Sequence, residues 1–132
     1  MRNVLTIVKL LKINNLDEDV YVKGEKRYFY TFKPVNAQAI KALKSLPEWV
    51  QAAFVHALDS VFYGVDPGMS IAHLTVIGPG VVELRINGRP AYRCVYRSKA
   101  PGQVDLLHAF VKTCQGPDKK NMATTASRYK LL

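Results

Sequence analysis

Arg93, Arg97 and Lys99 stand at every second position of the stretch AYRCVYRSK, residues 91–99. A strand sends alternate side chains to one face, so these cations would share a face at about 7 Å spacing, two rises of roughly 3.4 Å. They repel one another unless something anionic lies between them. Phosphate chemistry fits such a row. Guanidinium groups grip phosphate with a forked geometry that lysine lacks. They also stabilise the negative charge that builds on phosphorus in a transition state. Downstream, His108 adds a group that exchanges a proton near neutral pH, and Phe110 adds a ring on which an unpaired base can stack.

Three strands are expected to carry these residues: 81–86 (VVELRI), 91–97 (AYRCVYR) and 104–112 (VDLLHAFVK). The Asn87-Gly88 dipeptide and the short SKAPGQ link favour an antiparallel meander. Period-two sorting puts Val82, Leu84 and Ile86 on one face of the first strand. It puts Tyr92, Cys94 and Tyr96 on one face of the second. In the third, Asp105, Leu107, Ala109 and Val111 lie opposite Leu106, His108, Phe110 and Lys112. If each strand turns its apolar side to the helices, the outward face gathers Glu83, Arg85, Arg93, Arg97, His108, Phe110 and Lys112. The third strand is apolar on both sides, and a one-residue slip would invert it. Blander readings stand beside this one. Glu83 and Arg85 would make a surface pair worth under about 1 kcal/mol. Arg97 and Lys99 would be solvated edge charges, with Lys99 beginning the loop, and His108 would be structural.

Upstream, the spacing predicts a helical hairpin over 36–63. Asn36 is the N-cap, Ile40, Leu43 and Leu46 share a face, and Pro47 opens the second helix. That helix has Val50, Ala53, Phe54, Ala57, Leu58 and Val61 as its stripe, and Gly64 stops it. His56 reads as solvent-facing or hydrogen-bonded. RYFYTF, 27–32, reads as a first strand. Val4, Ile7, Val8 and Leu11 have helical spacing, although their β-branched content leaves a strand open, and NNLDED follows as a turn. VDPGMS and IGPG read as loops. A final helix is expected from near Pro117. Together these elements predict one α+β domain over 1–132. A helical hairpin packs on a small, mainly antiparallel sheet with a C-terminal helix, and 1–27 form an N-terminal extension.

Composition agrees with a folded chain: 48% apolar and 22% charged residues in 132 suit a single core. The net charge of +9 is uneven, because residues 81–132 hold ten Lys/Arg against three Asp/Glu. That C-terminal part of the chain asks for an anionic partner. No apolar run is long enough to span a membrane, and Lys9 and Lys12 break the apolar N-terminus, which reads as part of the fold. Cys94 and Cys114 lack zinc spacing. Cys94 reads as a small core residue, a reducing cytoplasm fits, and a bridge between the two stays open.

The residues GPGVVELRINGRPAYRCVYR…VDLLHAFVK resemble the phage-related HigB-like toxins of the RelE superfamily. Glu83-Leu84-Arg85, Tyr92-Arg93-Cys94-Val95-Tyr96 and Leu107-His108-Ala109-Phe110-Val111-Lys112 carry the likeness, and LPEWVQAAFVHALDSVFYG resembles the family's second helix. The likeness spans roughly residues 28–116. It implies a small α+β toxin of a type II toxin–antitoxin pair. Such a toxin is a ribosome-dependent mRNA endoribonuclease that uses the ribose 2′-hydroxyl and needs no metal or other cofactor. It also implies a cognate antitoxin, a helix-turn-helix protein encoded nearby, with ribosome and mRNA as the other partners. Arg85, Arg93, His108 and Lys112 correspond to phosphate binders or acid–base groups, with Tyr129 as the C-terminal aromatic. Arg97, Phe110 and Glu83 fall on the RNA-binding face. The sequence departs from the pattern where Thr113 follows Lys112 and where Gly116-Pro117 precedes the last helix. Two other functions fit: a non-cleaving poison such as a ParE-like gyrase inhibitor, or a basic nucleic-acid-binding phage regulatory protein.

Overall fold

The computed structural model describes residues 20–22, 25–27 and 31–132. The expected element at 3–13 and the turn at 14–19 lie outside them. Strands β1 (Val20–Val22) and β2 (Glu25–Arg27) pair antiparallel in a small sheet of their own.

The main sheet is mixed and five-stranded. It contains β3 (Lys33–Pro34), β4 (Ser70–His73), β5 (Val81–Ile86), β6 (Ala91–Ala100) and β7 (Gln103–Lys112), in the order β3-β7-β6-β5-β4. The meander β5-β6-β7 is antiparallel, as its short links require. β3 runs parallel to β7, which the long stretch of chain between them permits. The strand expected over 27–32 is displaced. Arg27 ends β2, Thr31 and Phe32 lie in a bend, and pairing with the main sheet begins only at Lys33. β4, of which only Ser70 falls in an expected loop, is an edge strand against β5. Its four residues are mostly exposed, so it lacks the buried alternation that marks a strand in sequence.

Helices α1 (Ala37–Lys44) and α2 (Glu48–Phe62) form the predicted hairpin. Asn36 Oδ1 accepts from Ala39 N–H at 2.9 Å, which satisfies one free donor of the first turn. At the bend, the buried Gln51 amide donates to Lys44 O at 3.0 Å and Leu46 O at 2.6 Å, covering carbonyls the end of α1 leaves open. Gly64, at φ +77°, ends α2. His56 is exposed. The hairpin packs Ile40, Leu43, Val50, Phe54 and Leu58 onto the inner face of the sheet, against Leu84, Cys94, Tyr96, Leu106 and Ala109.

The outer face overturns two expectations. It is not open, because α3 (Lys119–Tyr129) lies across it. Met122 and Tyr129 join Leu74 and Ile77 over Val81, Val95, Leu107 and Phe110. Glu83, Arg93, His108 and Phe110 are each at most 8% exposed. The face sorting of β7 also changes partway along the strand. Val95 lies opposite His108 and Tyr96 opposite Leu106, so Leu107 is an extra residue in a β-bulge. Leu106 therefore joins the inner core and Leu107 the outer one, the reverse of simple alternation. Asp105 moves to the outer side, opposite Arg97. A strand apolar on both sides is what two cores require.

Candidate nucleic-acid interface

Four charges meet at one end of the outer face. Arg85 and Arg93 are direct neighbours across β5 and β6, an arrangement that would repel without a counter-charge. Glu83, two residues before Arg85, supplies it. Its Oε1 accepts from Arg85 Nε at 2.9 Å and lies 3.6 Å from Arg93 Nε. Arg93 Nη1 also donates to Tyr92 O at 3.0 Å and Ile86 O at 3.3 Å, so its guanidinium is fixed before any ligand arrives. Burial lowers the Arg93 pKa, Glu83 opposes the fall, and Arg85 adds to it. The group stays charged, as arginine does in proteins. Lys112, at the end of β7, donates to Gly116 O and ties down the loop that leads to α3.

Two clefts flank this cluster. One, of about 420 Å³, is bounded by Glu83, Arg85, Arg93, Phe110 and Lys112 from the sheet, by Asp118 and Met122 at the start of α3, and by Leu74. The other, of about 560 Å³, lies between the 87–91 turn and residues 112–115. Arg93 and Lys112 line both and form the ridge between them. The first cleft has an apolar wall beside its cations, the combination that holds a base and a phosphate together. In the second, Asn87, Arg89 and Gln115 offer donors and acceptors for base edges.

Asp118 caps α3. Its Oδ1 accepts from Asn121 N–H at 3.2 Å and its Oδ2 from the Asn121 side-chain amide at 2.8 Å. Partial desolvation raises its pKa, but those bonds, with Lys112 and Cys114, outweigh it and hold the carboxyl below its usual value.

His108 sits on the same face but lines neither cleft. Its ring stacks on Phe110 with centroids 5.1 Å apart, and α3 engages both nitrogens. Arg128 Nη1 donates to Nδ1 at 3.0 Å, and Nε2 lies 2.8 Å from Asn121 Oδ1. Arginine has no acceptor, so Nδ1 is unprotonated and Nε2 carries the hydrogen. Desolvation lowers the His108 pKa; the Asn121 bond opposes the fall, Arg128 adds to it, and Asp118 opposes it.

The remaining expected residues lie elsewhere. Arg97 is bound to Asp105 at 3.2 Å, near the other end of β6, with its Nε buried and unpartnered. Tyr129 packs against Gly78, where an added Cβ would fall 2.3 Å from its ring, and it lines neither cleft. Cys94 is buried and Cys114 exposed, and both are free. Burial raises the Cys94 thiol far above its usual range, which makes it inert. Asp118, Asn121, Met122 and Arg128 were not singled out in the sequence. For all but Met122 the signal was the spacing 118, 121, 125, 128, which places Asp118, Asn121, Thr125 and Arg128 along one side of a helix that has little apolar stripe.

Among the described residues, no group of three or more His, Cys, Asp and Glu side chains is placed to hold a metal ion. None of their helices is long and apolar enough to cross a membrane. The sequence model of the family described as "Phage derived protein Gp49-like (DUF891)" matches residues 41–130, which contain α2, the meander and α3. No curated protein matches the chain.

Proposed function

Since the chain belongs to the Gp49-like family of phage-derived proteins, within the RelE/HigB-like toxin group, we propose that it is the toxin of a type II toxin–antitoxin pair and cleaves mRNA on the ribosome. The observation that carries this reading is the ridge of Arg93 and Lys112 between two clefts. A phosphate on the ridge places one flanking nucleotide toward Phe110 and Met122 and the next toward the 87–91 turn. The ribose 2′-oxygen attacks phosphorus and the bond to the 5′-oxygen breaks. The products are a 2′,3′-cyclic phosphate and a 5′-hydroxyl. Arg93, Lys112 and Arg85 stabilise the charge that builds on the phosphoryl oxygens. Glu83, one of the two carboxylates lining the first cleft, takes the hydroxyl proton. The leaving 5′-oxygen is protonated from solvent. The antitoxin neutralises the toxin by covering this cationic end.

Induced expression should arrest growth, and a translating extract given the purified chain should accumulate codon-spaced transcript cuts. Coexpression of the neighbouring small gene should restore growth. Full toxicity in the Arg85→Ala/Arg93→Ala double variant would sink this end of the sheet as the site. One observation favours a second reading, a poison that binds without cleaving: both nitrogens of His108 are already bonded. Gyrase-dependent DNA damage with intact transcripts would select it.

A further inference from the structure

His108 reaches α3 at two points a full seven residues apart, Asn121 and Arg128. Arg128 continues to Leu107 O at 3.0 Å, and Asn121 continues to Asp118. Asp118 and Met122 form the outer wall of the first cleft. One imidazole thus fixes the angle at which that wall stands over Arg93 and Phe110. We propose that His108 is a positioning residue, a two-ended latch that holds α3 as the wall of the cleft in one neutral tautomer and loses its Arg128 end in acid.

The argument is one of donors and acceptors. Arg128 needs a lone pair on Nδ1, and Asn121 needs a hydrogen on Nε2, since the Asn121 amide nitrogen is committed to Asp118. A second proton on the ring would set an N–H against the guanidinium. Several charged groups share His108's surroundings. α3 contributes Arg128 and, through Asn121, Asp118. On the same sheet face β6 carries Arg93 and Arg97, β5 carries Glu83 and Arg85, and β7 carries Asp105 and Lys112. The 74–78 loop brings no charge. Glu83 and Asp105 are each bound to arginine; the Asn121 bond and Asp118 favour the proton, and burial with Arg128 outweighs them. The folded form therefore holds fewer protons than the open form. The latch is at full strength above the ordinary histidine pKa of 6.5. It weakens as pH falls from there through the lower folded value.

The latch stands on its own geometry, and its consequence for RNA rests on the reading of the cleft given above. Nitrogen-15 NMR of the intact chain tests both. At pH 7.5 His108 should show the Nε2-protonated neutral signature. Below pH 6.5, protection factors of the α3 amides, 119–129, should fall about tenfold per pH unit, one proton per opening, while Leu84, Cys94 and Leu106 stay protected. A His108 protonated on Nδ1, α3 protection indifferent to pH, or sheet amides that fall in step would overturn the latch. His108→Gln cannot titrate and should flatten the profile; an unchanged profile overturns the proposal. If that variant does not fold, Asn121→Asp serves instead. Its carboxylate beside Nε2 should move the midpoint upward, and an unmoved midpoint is fatal. A short single-stranded oligoribonucleotide, titrated at pH 7.5 and 5.5, should bind more weakly in acid, with the same midpoint. Binding unchanged while α3 opens removes the wall from the proposal. Binding at neither pH, with the latch intact, removes the RNA reading alone.

Discussion

Beneath the helical hairpin, the sheet presents Leu84, Cys94, Leu106 and Ala109, packed into a cluster of apolar side chains. Beneath α3, the same strands present Glu83, Arg93 and His108 beside Val95 and Phe110, nearly as deeply buried. Burying a polar group is unfavourable unless it is hydrogen-bonded, and each of these three has partners: Glu83 the two arginines, Arg93 two carbonyls, His108 the two α3 residues. The inner face therefore supplies stability through packing. The outer face gives up packing to hold charges in fixed positions next to a solvent-reached cleft. Stability and chemistry are divided between the two sides of one sheet.

The sharpest test of that division is Phe54→Ala, a deletion deep in the inner core. It should cost about 3–5 kcal/mol in denaturant unfolding while the folded fraction still binds RNA; a loss under about 1 kcal/mol would break the comparison. Arg93→Ala should do the opposite. Transcript cleavage should drop by about 10²–10³, with less loss of stability than Phe54→Ala. A variant that instead unfolds more readily than Phe54→Ala would place Arg93 among the structural residues. Gly78→Ala probes where α3 meets the sheet. The new Cβ collides with the Tyr129 ring, so unfolding should be easier by about 1–3 kcal/mol, and exchange of the α3 amides should rise ahead of those in the inner core. Equal acceleration on both sides would show that the faces unfold as one. Arg97→Ala should change cleavage least, leaving it at the parent rate, because Arg97 lines neither cleft; a loss approaching that of Arg93→Ala would break the comparison.

The hairpin over 36–63 was legible because its stripe holds a 3.6-residue period and Asn36, Pro47 and Gly64 punctuate it. The meander was legible from its turns. β4 was not, since four mostly exposed residues leave no pattern. The covering of the outer face was hidden because Asn121, Thr125 and Arg128 read as solvent-facing polar residues, whereas they bond to buried groups or are buried themselves. Arg85, Arg93 and Lys112 could be gathered from strand alternation alone, together with Glu83 and Phe110. Arg97 fell away because position along the strand, and not only its face, decides who meets whom. His108 was found by residue type, but its two partners come from an element thirteen and twenty residues away, which no local pattern reports.

The bulge at Leu107 bears on fidelity. With LLHAFV apolar on both sides, β7 could lie one step along β6 and still bury most of its side chains. That slippage would carry Asp105 into the hairpin core and strip Arg97 of its partner. The Arg97–Asp105 pair thus works as a key that admits one alignment. Its loss should register less in the unfolding midpoint than in the uniformity of the refolded molecules, read as a second set of β7 amide resonances.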